Sequence, residues 1–139
     1  MSMKARSEKL KRLVAVQRHL ERMAESELAE TALQREELAG TIDVVVDAMG
    51  SGHPMHRMFS GHYASHLGRL VQKDQMLLGI QQVHEARMLK ERAKGDRLEE
   101  SMKDARLAEE REAADNQILD LIDQHVAGHA PVSGKVDRR

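Results

Sequence analysis

Apolar residues in the first third of this chain recur at alternating steps of three and four, as on one face of an α-helix. Polar residues occupy the same row at Gln17, Thr31 and Arg35. The apolar members are Leu10, Leu13, Leu20, Ala24, Leu28, Leu38, Ile42, Val45 and Met49. The row predicts a long helix with a narrow coiled-coil seam, whose polar members fix the pairing register. Two successive steps of four around Ala24 predict a stutter, where the supercoil locally unwinds.

The pattern stops at Gly50-Ser51-Gly52-His53-Pro54, a run of residues that ends helices and forms turns. Pro54 suits the first turn of a new helix, because its missing N–H is not needed there. The break therefore covers about residues 50–62. The pattern leaves two possibilities open: the chain turns back within 50–54, or it loops out as far as residue 66.

A second long helix is predicted after the break, with a seam that is less regular than the first. Asp74, Gln81 and His84 lie on or near it, and Gly95 predicts a kink. Its apolar members include Tyr63, Leu67, Leu70, Leu77, Ile80 and Met88. Gly128 and Pro131 end the pattern, which predicts a flexible tail over residues 128–139 and a folded part over 1–127.

Composition supports a structure with a thin core. Aromatic residues make up 1% of the chain and charged residues 32%, whereas compact cores usually bury several aromatic side chains. Folding two amphipathic helices against each other buries both apolar faces. We therefore expect an all-α fold: a two-helix antiparallel coiled-coil hairpin with a Gly/His-rich tip and a disordered C-terminal tail.

Charge and residue usage exclude several classes of function. A net charge of −1 gives no general case for nucleic-acid binding, and the absence of cysteine excludes disulfides and thiol catalysis. The chain has no apolar run near the roughly 18–20 residues that span a bilayer. We expect a cytoplasmic protein without direct insertion into a membrane.

Four histidines, His53, His56, His62 and His66, lie in the turn region. His62 and His66 are four residues apart, which suits a zinc or nickel site on a helix. Neither a cysteine nor a carboxylate lies nearby to complete the ligand set, so we expect no metal and no cofactor. Motifs for phosphate binding or nucleophilic catalysis are also absent from the sequence, and we expect no enzyme activity.

Three stretches carry a resemblance to a known family. A basic N-terminus leads into residues 9–14 (KLKRLV) and 21–30 (ERMAESELAE), and the mid-chain break is followed by residues 63–70 (YASHLGRL) and a long charged helix. The organisation of residues 4–126 resembles the flagellar FliJ family of type III export proteins, and more distantly the YscO-like injectisome proteins.

This resemblance implies a coiled-coil stalk between the export ATPase ring and the cytoplasmic part of the export-gate membrane protein. Such a stalk lies at the cytoplasmic face of the export apparatus and escorts export chaperones. In the family, the export-gate contact follows the break as an aromatic residue and spaced apolar residues. Tyr63, Leu67 and Leu70 match that pattern here, while Asp74 stands where the family often has His. A second possible register is Leu77, Ile80 and His84.

Two other interpretations remain open from the sequence. The chain could be a structural coiled-coil scaffold or a homodimer without a role in export. It could also be a histidine-dependent metal-binding module. A closed hairpin should be a monomer, because its seam is already occupied, whereas an open helix would dimerise; light scattering separates the two. Zinc titration followed by circular dichroism tests the metal-binding module.

Overall fold

The computed structural model describes residues 3–129, with side chains from residue 5 onward. Three helices follow each other: α1 (Met3–Gly50), α2 (Pro54–Met58) and α3 (Ser60–His129). The described part of the chain contains helices and short connections and has no strand. It is therefore all-α, as predicted, and a short helix lies between the two long ones.

A short connection separates the two long helices, with α2 inside it. α1 ends at Gly50, and His53 has an extended backbone from which its Nδ1 accepts a hydrogen bond from Met55 N (3.2 Å). Pro54 occupies the first turn of α2, where a missing N–H costs nothing. Phe59 ends α2, and its carbonyl then accepts a hydrogen bond from Tyr63 N (2.9 Å) in the first turn of α3.

Residues 13–97 form one compact unit, in which α1 and α3 face each other. Contacts pair Gln17 with Glu91 and Arg35 with Asp74, so the two helices run in opposite directions here. Buried and half-buried positions repeat at alternating steps of three and four, and we call these two rows the seam. On α1 the seam comprises Val14, Gln17, Glu21, Ala24, Leu28, Thr31, Arg35, Leu38, Ile42 and Val45. On α3 it comprises Tyr63, Leu67, Leu70, Asp74, Leu77, Gln81, His84, Met88, Glu91 and Gly95.

The second unit joins the start of α1, up to Arg12, to the chain from Leu98 onward. Here Ser7 and Leu10 lie against α3, and the half-buried α3 positions include Leu98, Met102 and Glu109. Ser7 Oγ donates a hydrogen bond to Glu109 Oε2 (2.7 Å), and Ser7 N donates one to Oε1 (3.2 Å). From residue 110 to His129, every residue of α3 is exposed.

The seam register differs from the prediction between residues 13 and 24. Leu13 and Leu20 are 45% and 37% exposed, whereas Val14 and Glu21 face α3 in their place. With Glu21 in the row, the steps alternate regularly through Ala24, so the predicted stutter does not occur. The physical reason is that Arg18 and Arg92 satisfy the Glu21 carboxylate, so a charged residue can occupy a seam position.

Of the other predicted seam residues of α1, all but Met49 are buried or half-buried. Leu10, Leu28 and Ile42 are half-buried, and Leu38 and Val45 are buried. Met49 is 39% exposed near the end of α1. Among the described residues, the buried apolar side chains are Ala24, Leu38, Val45 and Leu77. This short set is the thin core that the composition predicted.

The end of α3 also differs from expectation, and Gly95 has a packing role that was not predicted. α3 continues as one helix through Gly95, which is buried. The guanidinium of Arg18 lies where a Cβ on Gly95 would be, so packing accounts for a glycine at this position. α3 also includes Gly128 and His129, the first two residues of the predicted tail, while residues 130–139 lie outside the described residues.

Candidate functional site

The four residues predicted to contact an export gate lie in the seam. Tyr63, Leu67 and Leu70 are half-buried on the face of α3 that meets α1. Asp74 accepts hydrogen bonds from Arg35 at 3.0 Å (Nε) and 3.4 Å (Nη2). The structure therefore brings these residues together on one face, but that face is engaged by α1.

The second register is divided between the seam and its edge. Leu77 is buried in the seam, whereas Ile80 is 39% exposed beside it. His84 Nδ1 lies 3.5 Å from Glu27 Oε2, and Arg87 Nη1 donates to the same oxygen (2.9 Å). These three residues do not form one exposed surface.

Arg35 links two positions of α3 that lie about two turns apart. Its Nε and Nη2 bind Asp74, and its Nη1 donates to Gln81 Oε1 (2.9 Å). The partly buried guanidinium can reach both acceptors only when α1 and α3 hold one relative register. Sequence analysis placed Arg35 and Asp74 on their seams separately, and the structure pairs them with each other.

A second polar layer joins Gln17 to Glu91. The Gln17 side-chain amide donates to the backbone oxygen of Glu91 (3.1 Å) and also to its carboxylate. The hydrogen bond from Gln17, with Lys94 adding a nearby positive charge, lowers the pKa of Glu91 below its ordinary value. The carboxylate is thus stabilised in its charged form at a position that faces α1.

The largest polar cluster within residues 13–97 surrounds Glu21, which accepts hydrogen bonds from Arg18 and Arg92. Arg18 Nη1 donates to Glu21 Oε2 (2.8 Å), and Arg92 Nε donates to Oε1 (3.0 Å). Hydrogen bonds from Arg18 and then from Arg92 lower the pKa of Glu21, although burial opposes the shift. Arg18 also binds Asp96 (2.8 Å), and Arg92 binds Glu25 (3.3 Å). This cluster was missed because Gly95, which makes room for Arg18, was interpreted as a kink.

The connection between the long helices carries an aromatic and histidine cluster. His56 Nδ1 lies 3.1 Å from the Tyr63 hydroxyl, and the rings of Phe59 and Tyr63 are 6.5 Å apart. Beside them, Met55, Met58 and Phe59 are 62%, 80% and 46% exposed. The cluster holds the turn together while its apolar side chains face solvent.

The end of α3 presents a second exposed apolar surface. Beyond Glu109 the helix carries a face whose members are between 51% and 64% exposed. They are Ile118, Leu119, Leu121, Ile122 and Val126. Such a wide apolar face is typical of a helix that packs against another helix.

Metal and membrane sites were searched over the described residues. In that part of the chain, no three His, Asp or Glu side chains are grouped so that they could hold a metal ion. His62 and His66 remain a pair on the first turns of α3. None of the described helices is both long and apolar enough to cross a bilayer.

Comparisons with protein-family models, curated proteins and solved structures returned no match. The polar layers and exposed surfaces described above are therefore the basis for a functional proposal, together with the resemblance in sequence organisation.

Proposed function

We propose that this chain is a non-enzymatic, antiparallel coiled-coil component of the flagellar type III export apparatus. In this role it acts at the cytoplasmic face of the apparatus, as a stalk between the export ATPase ring and the export gate. It also escorts export chaperones. The proposal combines the FliJ-like organisation of residues 4–126 with the exposed apolar face of α3 beyond Glu109, which is the observation that carries it.

The coiled-coil part of the proposal is supported by the positions of the ion pairs. In an antiparallel coiled coil, residues flanking the seam on one helix meet those flanking it on the other. Glu27 pairs with Arg87 on one flank, and Glu25 pairs with Arg92 on the opposite flank. Exposed pairs of this kind contribute little stability, about 0–1 kcal/mol each, but they select the partner orientation.

A stalk needs surface for partners beyond the surface that holds it together. Residues 110–129 of α3 supply such a surface, because none of their side chains is buried within their own unit. When a partner covers exposed apolar side chains, the free energy of binding becomes more favourable by roughly 25 cal/mol per Å² of buried apolar surface. We assign this end of α3 to the ATPase ring.

We also propose that Tyr63, Leu67 and Leu70 contact the export gate. Their partly exposed edges are what a gate protein would touch, while Asp74 serves the helix pair through Arg35. Because these side chains are half-buried, we expect Tyr63→Ala with Leu67→Ala to reduce stability as well as gate binding. Gate binding must therefore be measured at a temperature where the variant is still helical.

The decisive experiment substitutes the exposed face of α3. Leu119→Asp with Ile122→Asp should abolish binding to the export ATPase in a pull-down, with helicity unchanged because both residues are exposed. Leu33→Asp with Val44→Asp provides the matched control, since these side chains are 55% and 68% exposed on α1. If the unmodified chain fails to bind the ATPase, or both variants bind equally, the proposed function is wrong. If the unmodified chain forms a homodimer and only the α3 variant does not, the result favours the structural scaffold instead.

A further inference from the structure

The charges around the connection between the long helices have one sign. Residues 48–73 contain no Asp or Glu, although the chain has 23 of them. The same stretch contains Arg57, Arg69 and Lys73, all exposed, and the four histidines 53, 56, 62 and 66. The acids nearest in sequence are Asp47 and Asp74, and Asp74 is paired with Arg35. Glu37 of α1 lines the same groove as Lys73, so the positive charge without a neighbouring acid centres on Arg57 and Arg69. We call residues 50–73 the tip; its fixed charge is positive.

The apolar side chains of the tip are held outward on one face. Met58 and Phe59 follow Met55 by three and four residues, so Met55 and Met58 share one side of α2 and Phe59 adjoins it as the C-cap. Met58 is 80% exposed, the highest value among the large apolar residues described. α2 buries no residue of its own, so these three side chains contribute little to the core.

The local structure explains how this geometry is maintained. The His53 cap and Pro54 start α2, and the contact between His56 and Tyr63 ties α2 to α3. A turn requires only small or polar residues, so two methionines and a phenylalanine in solvent need another explanation. Apolar side chains surrounded by basic residues are typical of segments that bind at the surface of a bilayer.

We propose that the tip docks on an anionic membrane surface, with Met55, Met58 and Phe59 entering the headgroup region and Arg57 and Arg69 binding lipid phosphates. This is contact at the headgroup level, which differs from spanning the bilayer. Charge complementarity selects the occupant: a segment with basic residues and no acid of its own matches anionic lipid. Lipid is favoured over an acidic protein because exposed apolar side chains beside basic residues are the combination that binds at bilayer surfaces.

Docking of this type is expected to be weak and reversible. One short apolar segment gives marginal membrane affinity alone, and the basic side chains add a second, salt-sensitive contribution. The tip is therefore suited to orienting the helix pair at a membrane where another partner is already held. The inference does not depend on the export role, since it concerns different residues from the α3 face.

The experiment uses the full chain with vesicles of neutral phosphatidylcholine and with vesicles containing phosphatidylglycerol. We expect flotation with the anionic vesicles, no flotation with the neutral ones, and release at high salt. Arg57→Gln with Arg69→Gln should weaken binding about 30-fold, which corresponds to about 2 kcal/mol at 1.4 kcal/mol per tenfold change. Arg22→Gln with Arg111→Gln removes the same charge from exposed positions elsewhere and should leave binding within about twofold.

A second pair of variants tests the apolar contribution. Met55→Ser with Met58→Ser should also lose flotation, whereas Met23→Ser with Met76→Ser, exposed by 45% and 61%, should retain it. Circular dichroism checks that all four variants remain helical. Absence of flotation with anionic vesicles, or equal loss in the tip and control variants, overturns the proposal. Tip-dependent binding to polyglutamate without binding to vesicles also overturns it, in favour of an acidic protein partner.

Discussion

Gly95 and Arg18 show how a single residue of α3 accommodates a side chain of α1. An added Cβ on Gly95 would lie 2.8 Å from Arg18 Nη1, so the guanidinium occupies space that only glycine leaves open. In that position Arg18 reaches both Glu21 and Asp96. A glycine inside a helix normally costs about 1 kcal/mol relative to alanine. Here the contacts of Arg18 offset that cost.

This arrangement predicts a coupling between two substitutions. Gly95→Ala alone should change the free energy of unfolding by less than about 0.5 kcal/mol, because the gain in helix propensity is offset by displacing Arg18. In an Arg18→Ala background, the same substitution should stabilise the protein by about 1 kcal/mol. Urea unfolding measures both values. Gly79→Ala, where a Cβ meets nothing within 4 Å, is the control and should stabilise equally in both backgrounds. If Gly95→Ala changes the free energy of unfolding equally in both backgrounds, the packing of Arg18 against Gly95 does not account for the glycine.

At the scale of the helices, the seam of α1 was predictable from Ala24 to Val45 but not between residues 13 and 21, where Val14 and Glu21 replace Leu13 and Leu20. Leu28, Leu38 and Val45 followed from spacing alone, and the break at Gly50–Pro54 followed from residues that cannot continue a helix. Leu20 was preferred to Glu21 because a single sequence does not show which charges will be paired. The partners of Glu21 lie on both helices, and Arg92 is distant in sequence. The same limit hid the pairing of Arg35 with Asp74.

The seam itself can be tested by burying a charge in it. Leu38 is 8% exposed, so Leu38→Asp should lower the free energy of unfolding by several kcal/mol. Ile42→Asp, at a half-buried position, should cost less. Leu33 lies on the same helix and is 55% exposed, which makes Leu33→Asp a matched control with a small expected effect. Thermal denaturation compares all three; similar melting temperatures for Leu38→Asp and Leu33→Asp would place the seam on another face.

For the whole molecule, stability should depend on pH through carboxylates that join the helices. Glu21 on α1 and Glu91 on α3 both have a pKa below the ordinary value of 4.5. Hydrogen bonds from Arg18 and then from Arg92 lower the pKa of Glu21, and a hydrogen bond from Gln17 lowers that of Glu91. A lowered folded-state pKa stabilises the protein above the unfolded-state pKa. That contribution is lost as the pH falls below about 4.5 toward the lowered folded-state pKa. Acid should therefore loosen the contact between α1 and α3.

The last prediction separates these two carboxylates from the general effect of acid. Between about pH 5 and about pH 3, the melting temperature of the unmodified chain should fall steeply. The variant Glu21→Gln with Glu91→Gln should have a lower melting temperature at neutral pH. Its melting temperature should fall less on acidification, because the two carboxylates that would be protonated are absent. Glu36→Gln with Glu37→Gln, at exposed positions of α1, should keep the steep fall. Circular dichroism melts at each pH measure the three slopes. A fall as steep in the Glu21 and Glu91 variant as in the control would assign the acid sensitivity to other groups.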